Sequence, residues 1–167
     1  MSIHLNSLRD AVVITKSIAQ IEIELPASIA VKFRSVILTD IAKIILLCGI
    51  ADRDFGEEER GFFQITVAGV MFGHAVIING WEEMTENTRK QVVEVSNKLL
   101  NEIRANPNMP LQALALLRQL GSSSFTAQSN LKELYTRYGK YVVAADQVVT
   151  DDERRVLKRV IDWVNAS

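Results

Sequence analysis

A ten-residue stretch of this chain occurs twice, and the duplication restricts the fold more than any other feature. Ala51-Asp52-Arg53-Asp54-Phe55-Gly56-Glu57-Glu58-Glu59-Arg60 is answered by Ala145-Asp146-Gln147-Val148-Val149-Thr150-Asp151-Asp152-Glu153-Arg154, 94 positions later. Ala, Asp, Glu and Arg recur in register, with acids before each Glu. Hydrophobicity extends the match outward. Ile44, Leu47, Cys48 and Ile50 align with Tyr138, Tyr141, Val142 and Ala144, and Phe62, Phe63 and Val67 with Val156, Leu157 and Ile161. Self-similarity at a fixed offset means one supersecondary unit used twice. Two copies are too few for a solenoid, so the expectation is one pseudo-two-fold domain over residues 1–167, with halves near 36–72 and 131–164.

The segments around the repeats read as helices. Asn6 or Ser7 can cap a first helix whose stripe is Ala11, Val12, Ile14, Ile18 and Ile21. Pro26 closes it and opens a short helix over Ser28 to Phe33. Val36 to Ala51 is apolar nearly all round, interrupted only by Thr39, Asp40 and Lys43, the pattern of a helix surrounded by protein. A further helix starts near Glu57. Phe62 to Ile78 is apolar but short for a membrane span and holds Gln64, Thr66 and His74, so a core helix is expected. Gly69 and Gly73, four apart, would let a second helix or a second copy approach closely. Thr85 fits an N-cap for the stripe Val92, Val95, Leu99 and Ile103, which Pro107 ends. Pro110 opens a short helix through Leu114, Leu117 and Leu120, and Gly121 to Ser124 is a brief hinge. Leu131, Leu134, Tyr135, Tyr138, Tyr141, Val142 and Ala145 form the stripe that leads into the second acidic copy. The last helix carries Val156, Leu157, Val160, Ile161 and Val164, with Trp163 at its edge. The predicted fold class is all-α, a single-domain bundle of about seven helices.

Charge and cysteine content narrow the function classes. With 19 Lys and Arg against 20 Asp and Glu the net charge is −1, which argues against a nucleic-acid or anionic-membrane surface. The lone Cys48 forms no internal disulfide and suits a reducing, cytoplasmic setting. Its apolar neighbours predict a buried small hydrophobe. Met1-Ser2-Ile3-His4 does not open a secretory signal. Scattered Ser, His and Cys make no nucleophile–base motif, so an enzyme is not expected. His74, on an apolar stretch, reads as a core residue.

The repeated acids admit two readings. Thr150 with Glu153 forms a capping box, and acids in a first turn interact well with the helix dipole. Gly56 takes the Thr150 position in copy one, so that cap lacks a side-chain oxygen. Asp52 and Asp146 are less well explained, because a negative charge at a helix C-terminus is unfavourable. Amides of the following helix, Arg60 and Arg154, or a cation would compensate them. The second reading is a hard divalent cation held by Asp52, Glu59, Asp146 and Glu153, with Asp54, Glu58 and Asp152 as secondary ligands. An EF-hand is excluded, since its twelfth position would be Phe63 or Leu157. Structural zinc and a Glu-x-x-His di-iron bundle lack their ligand sets.

Each copy, with its flanking helices, resembles the TerB-like domain associated with tellurite resistance and related to the N-terminal part of the DjlA co-chaperones. The family pattern is Ala-Asp-Gly, a variable residue, an apolar residue, Ser or Thr, two often acidic residues and Glu. Ala51, Asp52, Phe55, Glu57, Glu58 and Glu59 match it in copy one. Ala145, Asp146, Val149, Thr150, Asp151, Asp152 and Glu153 match it in copy two. Arg53 and Gln147 replace the family glycine, and Gly56 the Ser or Thr. The resemblance implies an all-helical, non-enzymatic module with an acidic surface for a divalent cation such as calcium, acting in a stress or tellurite response with a protein partner. The alternative is a structural, homo-oligomeric interaction protein whose acids serve as helix caps, a homodimer using the Gly69/Gly73 surface.

Overall fold

A computed structural model describes residues 5–49, 56–143 and 151–166, with only some side chains given near the ends of these stretches and in the last helix. The described chain is all-α. Its helices are α1 (Leu5–Ile23), α2 (Ala27–Gly49), α3 (Glu57–Phe72), α4 (Ala75–Asn79), α5 (Glu86–Ala105), α6 (Gln112–Arg118), α7 (Phe125–Val143) and α8 (Asp151–Ala166). This is the expected all-α bundle, with two boundaries placed differently, the first because the apolar run from Phe62 to Ile78 breaks at Gly73. Gly73 closes α3 at φ 96°, its amide donating to the Gly69 carbonyl. An L side chain rarely adopts that conformation.

Ser28 to Phe33 is not a separate helix. It forms the first turns of α2, with the Pro26 carbonyl accepting from the Ala30 amide. Proline is tolerated at a helix start, and no breaker lies between Phe33 and Val36. Thr85 caps α5, its hydroxyl accepting from the Thr88 amide at 3.1 Å, and α5 ends at Ala105 before Pro107. Arg89 fixes the turn that precedes α5, donating to the Met84 carbonyl at 2.9 Å.

Helix α2 is the central element, packed by α5, α6, α7 and α8, while α1 lies across α3 and α7. The core runs along α2 through Phe33, Ile37, Ile41, Ile44 and Ile45, meeting Phe62 and Phe63 of α3 and Leu131, Leu134, Tyr135 and Tyr138 of α7. Phe62 and Tyr138 meet edge to face, centroids 5.1 Å apart, a contact worth about 1 kcal/mol beyond burial. The hairpins α2–α3 and α7–α8 are packed differently. Helix α8 lies along α2, whereas α3 is covered by α1 and α5. Among the described residues no helix is long and apolar enough to cross a membrane.

Gly69 explains how α1 seats. A Cβ there would lie 2.5 Å from Thr15 Oγ1 and 2.6 Å from Ile77 Cδ1, so only glycine lets α1 and α4 reach the backbone of α3. Close approach at Gly69 is therefore a contact within the chain, and the face expected for a homodimer is already occupied there. Gly73 has no atom within 4 Å of its would-be Cβ, and its role is the helix stop.

Candidate functional site

The first acidic copy is described from Gly56 onward. Gly56 is the N-cap of α3, in extended conformation (φ −70°) and with no side-chain cap bond. Glu58 is exposed on the first turn. Glu59 is buried, 6% exposed, and its carboxylate folds back over the N-cap: Oε2 lies 2.6 Å from where a Gly56 Cβ would stand. The carboxylate thus takes the space that a Ser or Thr would fill at this position. Asp52, Asp54 and Asp146 lie outside the described residues, as do Thr150 and the side chains of Asp152 and Glu153. Among the described residues no three His, Cys, Asp or Glu side chains converge to hold a metal ion.

A second constellation links three helices around Asp40. This carboxylate is 1% exposed in the middle of α2. It accepts from the Gln112 amide at 2.7 Å through Oδ1 and from the Ala113 amide at 2.9 Å through Oδ2. The Tyr135 hydroxyl of α7 also donates to Oδ2. One turn along α2, the buried Lys43 ammonium donates to the Met109 carbonyl. Two charges on one turn of α2 therefore clamp residues 109–113, and Asp40 supplies acceptors for the N-terminal amides of α6 that its N-cap, Leu111, leaves unpaired.

Electrostatics in this clamp oppose one another. Burial pushes the Asp40 carboxyl up to about 6, against the pull of the Tyr135, Gln112 and Ala113 hydrogen bonds and the Lys43 charge. Burial lowers the Lys43 pKa, and Asp40 partly restores it. Tyr135 is raised by burial and by the adjacent carboxylate, so its hydroxyl keeps its proton and remains a donor.

No family model, curated protein or solved structure matches the chain. What can be said of the site therefore rests on geometry. Cys48 is buried, as its apolar surroundings predict. His74 is exposed at the start of α4, not in the core, because the Gly73 stop turns the chain outward there. Asp40 and Lys43 were visible in the sequence only as polar interruptions of an apolar helix, and Tyr135 only as a member of the α7 stripe.

A shallow groove of about 450 Å³ lies between α1 and α4, lined by Leu8, Arg9, Val12, Val13, Ile77 and Ile78.

Proposed function

We propose that the chain is a non-enzymatic helical module of the TerB-like kind, whose two acidic interhelical junctions take a divalent cation, calcium in particular. By the resemblance it would act in a stress or tellurite response; a protein partner and a cytoplasmic setting belong to the same reading. The burial of Glu59 at the α2–α3 junction is the observation that supports this reading. A carboxylate withdrawn from water keeps its charge only beside donors or a cation. Asp52 precedes it by seven residues, and Asp146 and Glu153 repeat the pair.

The fold-back of Glu59 over Gly56 favours a second reading, in which the acids are helix caps and the junctions are structural latches in an interaction protein. Calorimetric melts separate the two. Under the ion reading, millimolar calcium raises the melting temperature, because a ligand that binds only the native state stabilises it. Replacing Asp52 and Asp146 together by Asn removes that rise, with magnesium as the control. A wild-type melt that ignores calcium sinks the ion site and leaves the latch.

A further inference from the structure

We infer that Asn79 is a site of spontaneous covalent modification, where the side-chain carboxamide closes onto the Gly80 backbone nitrogen, sheds ammonia and leaves an acid at the end of α4. This inference is independent of the acidic junctions. Asn79 is the only asparagine in the chain that is followed by glycine. It is exposed at the last position of α4, in a surface dent it shares with Val76, Gly80 and Glu83, so water and hydroxide reach it. Among the described residues no hydrogen bond engages its carboxamide. Gly80 carries no Cβ to shield its nitrogen, and no atom lies within 4 Å of the place a Cβ would occupy. The chemistry balances with water alone. Hydroxide takes the Gly80 amide proton, the nitrogen attacks Asn79 Cγ, and the Cγ–Nδ2 bond breaks as ammonia departs with a proton from water. Water then opens the cyclic imide at either carbonyl, giving aspartate or isoaspartate.

Two restraints limit the rate. Asn79 has the helical backbone of a last-turn residue, which turns the following nitrogen away from its side chain. The Gly80 amide is also tied to the Val76 carbonyl at 3.1 Å. Both restraints go when the last turn of α4 opens, and that opening is cheap. Helix α4 has five residues, too few to persist alone, and Ile77 is its one buried residue. Glycines at positive φ bound it at both ends, Gly73 at 96° and Gly80 at 94°. The product then works against reclosure. A carboxylate in the last turn of a helix opposes its dipole, and the exposed Glu82 and Glu83 lie close behind. Isoaspartate also adds a carbon to the main chain, which takes the Gly80 amide out of register with Val76. Because Ile77 packs against Gly69 beside Thr15 of α1, loosening α4 loosens the seat of α1.

Peptide mapping of the folded full chain tests this, after ageing in mildly alkaline buffer and with electron-transfer fragmentation to tell isoaspartate from aspartate. Asn79 should convert before any other asparagine, to both acids, at a rate proportional to hydroxide. Asn79→Gln should stop acid formation at this exposed position, because its longer side chain closes the larger ring far more slowly. Ile77→Val, which trims the anchor of α4, should speed conversion toward the rate of a free peptide spanning residues 74–84. The aged chain should melt below Asn79→Asp, which gains the charge without the extra main-chain carbon. The inference fails if Asn79 stays intact while the free peptide converts, or if another asparagine converts first. An unchanged rate in Ile77→Val would overturn the opening of α4 as the limiting step. An aged chain that melts with the wild type would overturn the coupling to α1.

Discussion

Tyr135 and Asp40 stand 95 residues apart in sequence, and the tyrosine hydroxyl donates to the aspartate carboxylate inside the core. Tyr138, one turn along α7, is buried as completely, yet among the described residues its hydroxyl makes no well-formed hydrogen bond and has only the Thr66 hydroxyl as a weak polar contact. The two tyrosines should therefore respond unequally to loss of the hydroxyl. Tyr135→Phe removes a bond to a charged acceptor and should cost about 2 kcal/mol. Tyr138→Phe removes a buried hydroxyl that has only a weak contact with Thr66 and should be nearly neutral. Urea denaturation of both variants checks this. Equal losses would contradict the assignment.

The Asp40 carboxyl is raised to about 6 from an ordinary value of 3.8, so the folded chain holds this proton more tightly than the unfolded chain. Protonation at Asp40 then favours the fold. Its contribution is fully present below the unfolded value and is lost as pH rises through the folded one. The span corresponds to about 3 kcal/mol. Between pH 7.5 and 4.5, the wild type should gain about 2 kcal/mol relative to Asp40→Asn. A stability difference that does not change with pH would show that Asp40 titrates normally. Tyr135→Phe should raise the Asp40 pKa further, because the lost bond pulls it down, and carboxyl carbon NMR reads that shift directly.

Gly69→Ala places a methyl 2.5 Å from Thr15 Oγ1 and 2.6 Å from Ile77 Cδ1, and should destabilise by about 1–3 kcal/mol through overpacking. Gly73→Ala meets no atom but is held at φ 96°, so its cost, about 1–3 kcal/mol, is backbone strain. Thr15→Ser, which clears the methyl at 3.1 Å but keeps the hydroxyl, should rescue Gly69→Ala only in part, and should do nothing for Gly73→Ala. Thermal melts of the double variants distinguish the two mechanisms.

At the acidic junction, Gly56→Ser has a permissive backbone but no free space. The added Cβ would displace the Glu59 carboxylate. The gain expected from a serine cap over glycine, only about 0.3 kcal/mol, should therefore be cancelled. Thr85→Ala, at a cap that is seen to be made, should lose about 1 kcal/mol. A clear stabilisation by Gly56→Ser would show that Glu59 gives way freely.

These variants also mark what the sequence revealed. The helical stripes of α1, α5 and α7, the Thr85 cap and the Pro107 stop follow from local rules, because periodicity and capping are written in neighbouring residues. The four-residue spacing of Gly69 and Gly73 suggested one shared face, but the two glycines serve different needs, close approach at one and positive φ at the other. Pro26 was legible as a boundary. The continuity of α2 through Phe33 is local as well, since no breaker separates Phe33 from Val36, but the all-round apolar character that begins at Val36 reads as a separate helix. The partners of Asp40 were hidden for a different reason. Two of the three are backbone amides, which carry no side-chain identity to recognise. Of the proposed ion ligands, only Glu58 and Glu59 have described side chains, and they differ sharply in burial.

The dependence of α6 on Asp40 reaches into how the chain folds. Helices shorter than about 12 residues are marginal alone, and α6 has seven. Its N-terminal amides find their acceptor 72 and 73 residues upstream, so the turn that begins α6 has no local nucleus. Closing that long loop must come before α6 can persist, at an entropic cost the short helix cannot meet by itself. During refolding, α6 should acquire hydrogen-exchange protection after α2 and α7 have met, and lose it whenever they part. Its amides would then report on the joining of two distant segments instead of on their own helix.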